Sequence, residues 1–175
     1  NLETNCWTEM SFSGNEIYGR YHHTVSLVDD ILVVYGGVSG SGEYEFVLND
    51  LFIVDLTANH IRRIAVNNCD IQSVIDGRYG HTAIAEKMER SKVRLSVYGG
   101  RSKHSHYSQK SLAIIIDLER NNATVEQIEY SREKLNCFGT VVQFRDELVF
   151  LGGIAFKPQF TSNVIICLPD ELIHL

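Results

Sequence analysis

Histidine offers the first candidate chemistry in this chain. Five of its seven histidines are His22, His23, His81, His104 and His106. His104 and His106, one residue apart, would set two imidazoles on one side of an extended segment. A structural zinc centre wants four ligands, commonly with thiolates. The four cysteines, Cys6, Cys69, Cys137 and Cys167, stand singly with no Cys-x-x-Cys spacing, so no metal site is expected. The run Gly36-Gly37-Val38-Ser39-Gly40-Ser41-Gly42 has the look of a phosphate loop. It lacks the Gly-Lys-Ser/Thr ending and no helix follows, so a loop between strands is expected and no cofactor. The sequence contains no Gly-x-Ser-x-Gly elbow and no Ser/His/Asp or Cys/His set in recognisable context, and a non-catalytic chain is expected.

Composition narrows the partners. The 175 residues carry 16 Lys+Arg against 22 Asp+Glu, a formal charge of -6, with a pI near 5.6. That balance lacks the electrostatic footprint of a general nucleic-acid binder. Charges interrupt every apolar stretch well short of the ~18 residues a membrane helix needs. Neither nucleic acid nor membrane is expected as a partner. Scattered cysteines suit reduced thiols and a cytoplasmic location, while the sequon Asn122-Ala123-Thr124, expected in an exposed turn, leaves room for a secreted origin. The chain opens Asn1-Leu2-Glu3 with no visible signal peptide and reads as a segment of something longer.

The elements that would position these side chains recur three times. The first copy runs Arg20-Tyr21-His22-His23-Thr24, then Ile31 to Gly37 ending in Val-Val-Tyr-Gly-Gly, then Asn49 to Leu56. The second runs Arg78-Tyr79-Gly80-His81-Thr82, then Arg94 to Gly100 ending in Ser-Val-Tyr-Gly-Gly, then Ser111 to Leu118. The third is fainter: Asn136-Cys137-Phe138-Gly139-Thr140, then Glu147 to Gly153, then Asn163 to Leu168. His23 and His81 are 58 residues apart, and Gly139 follows after 58 more. The shared place of His23 and His81 suggests that they hydrogen-bond within their own copy. A charged stretch, Glu86 to Lys92, reads as a hairpin insertion in the second copy.

The apolar runs are short, rich in Val, Ile, Tyr and Phe, and bounded by Gly, Asn and Asp, which argues for strands. Continuous apolar character in Ile31–Tyr35, Phe52–Val54 and Ala113–Ile116 argues for cover on both faces. Short links such as Asp29-Asp30 and Arg145-Asp146 make neighbouring strands antiparallel. Each copy has a more polar fourth segment, His60–Val66, Thr124–Tyr130 and Leu172–Leu175, suited to an outer strand.

Four strands per copy with a Gly-Gly pair ending the second resemble the kelch repeat, whose sheets are blades of a β-propeller. The residues that carry the resemblance are R-Y-H-H-T…V-V-Y-G-G…N-D-L-F-I-V-D-L, R-Y-G-H-T…S-V-Y-G-G…S-L-A-I-I-I-D-L and N-C-F-G-T…V-F-L-G-G…N-V-I-I-C-L. It implies an all-β fold of about three four-stranded antiparallel blades, at 20–66, 78–130 and 136–175. Residues 1–13, with Cys6-Trp7-Thr8-Glu9-Met10, would form the outer strand of a preceding blade. At roughly 50 residues per blade, a ring of six needs about 300 residues. The missing blades would come from further sequence or another subunit, and the 175 residues alone are expected to associate through their end faces.

The resemblance also implies structural roles for Gly36, Gly37, Gly99, Gly100, Gly152, Gly153, His23 and His81. Loops after the second strand gather on one face around the channel. The first is long and acidic, with Glu43 and Glu45 beside Tyr44 and Phe46; the second is basic, with Arg101, Lys103, His104, His106, Tyr107 and Lys110. Such mixtures suit protein recognition. Kelch domains that grip peptides use residues just past the Gly-Gly pair and at the first strand's opening. The implied contact set is Tyr21, His22, Glu43, Tyr44, Tyr79, Arg101, Lys103, His104 and Tyr107. The expected function is binding of a protein or peptide partner, and the alternative is a regulatory or galactose oxidase-like catalytic propeller of a larger enzyme.

Overall fold

The computed structural model describes residues 3–67, 77–89, 91–102, 111–128, 137–145 and 147–154, with the backbone of strand Val164–Cys167. Fifteen strands appear among them, all but a few paired antiparallel. In the first copy these are β1 (Ser13–Gly14), β2 (Thr24–Val28), β3 (Ile31–Tyr35), β4 (Val38–Ser39), β5 (Phe46–Val47), β6 (Leu51–Asp55) and β7 (His60–Arg63). In the second they are β8 (Ala65–Val66), β9 (Thr82–Lys87), β10 (Lys92–Tyr98), β11 (Ser111–Asp117) and β12 (Asn122–Ile128). The third copy has β13 (Thr140–Phe144), β14 (Glu147–Leu151) and β15 (Val164–Cys167). Three blades result, in the orders β1-β7-β6-β3-β2, β8-β12-β11-β10-β9 and β13-β14-β15.

Period-two alternation decides which blade each side chain meets. Val33, Tyr35, Leu51 and Ile53 point from the first blade into the main core, where Leu95, Val97, Leu112, Ile114 and Ile116 of the second meet them. Val34, Phe52 and Val54 point the other way, covered in part by Phe12 and Ile17 of the N-terminal segment. Tyr98 and Ile84 face the third blade and pack with Val141, Leu148 and Phe150. The apolar runs of the second blade are therefore buried on both faces because it lies between the first and the third, whereas the first blade's outer face is covered in part by the N-terminal segment. The end faces carry exposed Val25 and Leu27 on β2 and exposed Val142 and Phe144 on β13.

Several expectations are corrected. Cys6–Met10 is not a strand, and Trp7 is fully exposed. The N-terminal strand is instead Ser13–Gly14, parallel to β7 with Ser13 opposite His60. The segment His60–Val66 is likewise not one strand. β7 completes its own blade, the chain bends at Ile64, and β8 joins the next blade parallel to β12, with Ala65 opposite Asn122. Ile64 is buried at the bend and its N–H donates to Leu51 O at 2.8 Å. This crossing explains the broken alternation of His60–Val66: the two ends belong to different sheets.

The other polar strand, β12, begins at Asn122 rather than at Thr124. The sequon asparagine is thus not in a turn. It is half-buried between Ala65 and Asp117 on the neighbouring strands. Part of the charged insertion is also regular ladder, since Glu86 pairs with Arg94 and Lys87 with Val93. Leu172–Leu175 lies outside the described residues.

Candidate functional site

The motif residues show why the Arg-Tyr-x-His-Thr segment and the Gly-Gly pair occur together. Arg20 donates through Nη1 to Gly36 O at 3.1 Å, and Arg78 donates to Gly99 O at 2.8 Å, so each arginine holds its own blade's first motif glycine. Arg20 also forms a two-pronged pair with Asp50, at 2.5 and 3.0 Å. Arg78 is wholly buried, and burial pulls its pKa down to about 10. All six motif glycines have positive φ, between 63° and 99°. A Cβ on Gly36 would lie 2.5 Å from Arg78 O, and one on Gly37 would lie 2.8 Å from His23 Cβ. Gly36 is required by backbone angle and by the next blade's approach, and Gly37 by backbone angle and by the closeness of its own copy's motif segment.

His81 acts between blades, which corrects for this residue the expectation of bonding within its own copy. His81 Nε2 lies 2.9 Å from Thr24 Oγ1 of the preceding blade, and its ring meets Tyr35 edge-on. Burial, then Arg78, pushes its pKa down to about 3. In the third copy Gly139 has no ring to offer, and the backbone N–H of Val141 donates to Thr82 Oγ1 at 3.0 Å instead. His23 has its Nδ1 buried without a hydrogen-bond partner among the described residues, and burial lowers its pKa.

On the loop face, each copy pairs the tyrosine place of its motif with the residue just after its Gly-Gly. The pairs are Tyr21 with Val38, Tyr79 with Arg101 and Cys137 with Ile154. The next motif residues, His22, Gly80 and Phe138, all adopt left-handed backbone, with φ of 57°, 60° and 59°. They link in series: Gly80 N–H donates to His22 O at 2.9 Å and Phe138 N–H donates to Gly80 O at 2.6 Å. This chain of bonds brings three motif openings to one place. Gly80 has no side chain there because a Cβ would fall 2.7 Å from the Phe138 ring.

A cleft of about 400 Å3 results, lined by Tyr21, His22, Val38, Glu45, Val47, Tyr79, Ser102 and Phe138. Its rings touch: Tyr21–His22 and His22–Phe138 both have centroids 4.9 Å apart in edge-to-face geometry. The Tyr21 hydroxyl donates to the Glu45 carboxylate at 2.5 Å, which raises the tyrosine's pKa. The guanidinium of Arg101 lies over the Phe138 ring, 5.7 Å from its centroid.

Three of the expected contact residues, Tyr21, His22 and Tyr79, thus line one cleft, with Arg101 at its edge. The acidic loop is not irregular: β4 and β5 form a ribbon with Val38 opposite Val47, and a 3-10 turn, Gly42–Tyr44, caps it. Glu43 and Tyr44 sit exposed on that turn and do not line the cleft; Glu45 does. Lys103, His104 and Tyr107, and the metal candidate His104/His106, lie outside the described residues. The implied contact set omits Phe138 and Glu45, although Glu45 stands in the acidic loop and Phe138 in the third motif copy. Phe138 occupies His22's place in the 58-residue spacing, and extending the contact set to the third copy brings it in.

The geometry has a counterpart among known proteins. A model described as the Attractin/LZTR1 beta-propeller, a kelch-type family, matches residues 1–164. No curated protein matches the chain.

Proposed function

The chain belongs to the Attractin/LZTR1 beta-propeller family, and from that premise we propose that it is a non-catalytic interaction module which binds a protein partner through its loop face. The observation that carries the reading is the cleft, where exposed aromatic rings and a carboxylate converge from all three copies on a hydrogen-bonded backbone. Rigidly held, partly exposed aromatic side chains supply contact area at low entropic cost, as binding hot spots do. Four cysteines that stand singly in the sequence suit a reducing, cytoplasmic setting for this role.

A photo-cross-linking amino acid placed at Tyr44, on the ribbon beside the cleft, tests the proposal in the full-length protein. The expected result is a discrete adduct with a protein partner in cells, absent when the cross-linker is moved to Met88 on the distant β9–β10 hairpin. Adducts of equal yield from both positions, or from neither, would overturn the proposal.

A further inference from the structure

The chemistry of the cleft narrows what a partner inserts there, and this step rests on the loop-face reading above. We infer that the cleft receives a cationic side chain, arginine or lysine, from the partner protein. Four rings, those of Tyr21, His22, Tyr79 and Phe138, bound a space that also contains the Glu45 carboxylate. Phenol and phenyl rings such as those of Tyr21, Tyr79 and Phe138 carry negative quadrupole density on their faces and attract cations within about 6 Å. A carboxylate beside them completes the recognition of a guanidinium or ammonium group.

Glu45 is held for this purpose. The Tyr21 hydroxyl occupies Oε1 at 2.5 Å, which fixes the carboxylate's orientation and leaves Oε2 unpaired among the described residues. Arg101 shows that this aromatic surface accommodates a guanidinium, since it already lies over Phe138. Its charge repels a second cation at that end and directs an incoming one toward Tyr21 and Glu45. No Lys or Arg among the described residues lines the cleft, and the chain's net charge of -6 favours approach of cations. An acidic side chain would meet the Glu45 carboxylate, which has no ion-pair partner among the described residues.

Saturation-transfer NMR on the full-length protein with three peptides, Ac-Gly-X-Gly-NH2 with X as Arg, Lys or Glu, reads this directly. The Arg and Lys peptides should receive saturation and the Glu peptide should not. Glu45→Gln should weaken the cationic peptides about tenfold, and Tyr21→Phe, which keeps the ring and releases the carboxylate, should weaken them less. Both positions are exposed, and unchanged circular dichroism confirms that the variants fold. Saturation of the Glu peptide at the level of the Arg peptide, saturation of none, or indifference to Glu45→Gln would overturn the inference. Partner adducts at Tyr44 without cationic-peptide binding would leave the interaction face standing and remove only its cationic occupant. Peptide binding without adducts would do the reverse.

Discussion

His81 Nε2, in the second blade, lies 2.9 Å from Thr24 Oγ1 in the first. The bond joins two copies of one motif at the place where the sheets close over each other, and it holds a buried imidazole. Burial and the nearby Arg78 disfavour the imidazolium, so the folded pKa of about 3 lies below the ordinary histidine value of 6.5. The unfolded chain therefore binds this proton at higher pH than the folded one. Stability from His81 is complete above about pH 6.5 and is lost as pH falls toward 3, at no more than about 1.4 kcal/mol per pH unit. His23 adds a shift in the same direction. In full-length protein, thermal midpoints should fall between pH 7 and pH 4, and His81→Gln should flatten that fall while lowering the midpoint at pH 7. An identical slope in the variant would show that other groups govern it.

Arg20 and Asp50 are both nearly buried, with side chains 3% and 11% exposed. Removing one partner strands the other. Asp50→Asn should cost about 3 kcal/mol, as for other buried pairs, and Arg20→Met with Asp50→Leu should recover most of it. Urea denaturation of the three proteins measures the cost, and a double variant no better than the single one would contradict the account.

Gly36 and Gly19 make a matched pair. Gly36 has φ +63° and a Cβ there would lie 2.5 Å from Arg78 O, whereas a Cβ on Gly19 would have no atom within 4 Å. Gly36→Ala should destabilise by more than about 2 kcal/mol. Gly19→Ala should change stability by less than about 0.5 kcal/mol, as read from denaturation midpoints.

His22 carries a side chain on left-handed backbone, φ 57°, where glycine is at ease. His22→Gly should therefore raise stability by about 0.5–1 kcal/mol, while removing one ring from the cleft and weakening partner cross-linking. Gly80→Ala should do the opposite to stability, because its Cβ would press on the Phe138 ring at 2.7 Å. The two measurements separate the cost of the backbone angle from the use of the side chain.

Much of the fold is legible because repetition amplifies weak signals. The 58-residue spacing of His23, His81 and Gly139 places three blades, and the Val/Ile runs between turn residues mark their inner strands. What stays hidden has physical reasons. A two-residue strand such as Ser13–Gly14 has no hydrophobic period to read. The crossing at Ile64 leaves the apolar character of the segment intact and changes only which sheet each end joins. In the site, Tyr21, His22 and Tyr79 follow from their motif positions, but Glu45 rather than Glu43 faces the cleft because of the ribbon's register, which pairs Val38 with Val47. That register is set by two strands of two residues each, too short to show a hydrophobic period in the sequence.

The bend at Ile64 has a consequence for how such chains can be cut and recombined. Because β8 laps onto the next blade as β1 laps onto the first, the copies overlap like roof tiles. A junction placed between motifs, at residue 20 or 78, would carry a blade away without the parallel strand that covers its outer edge. The transferable cassette is offset from the repeat: for the first blade it starts before Ser13 and stops at Arg63, and a chimera built on those limits keeps every lap intact.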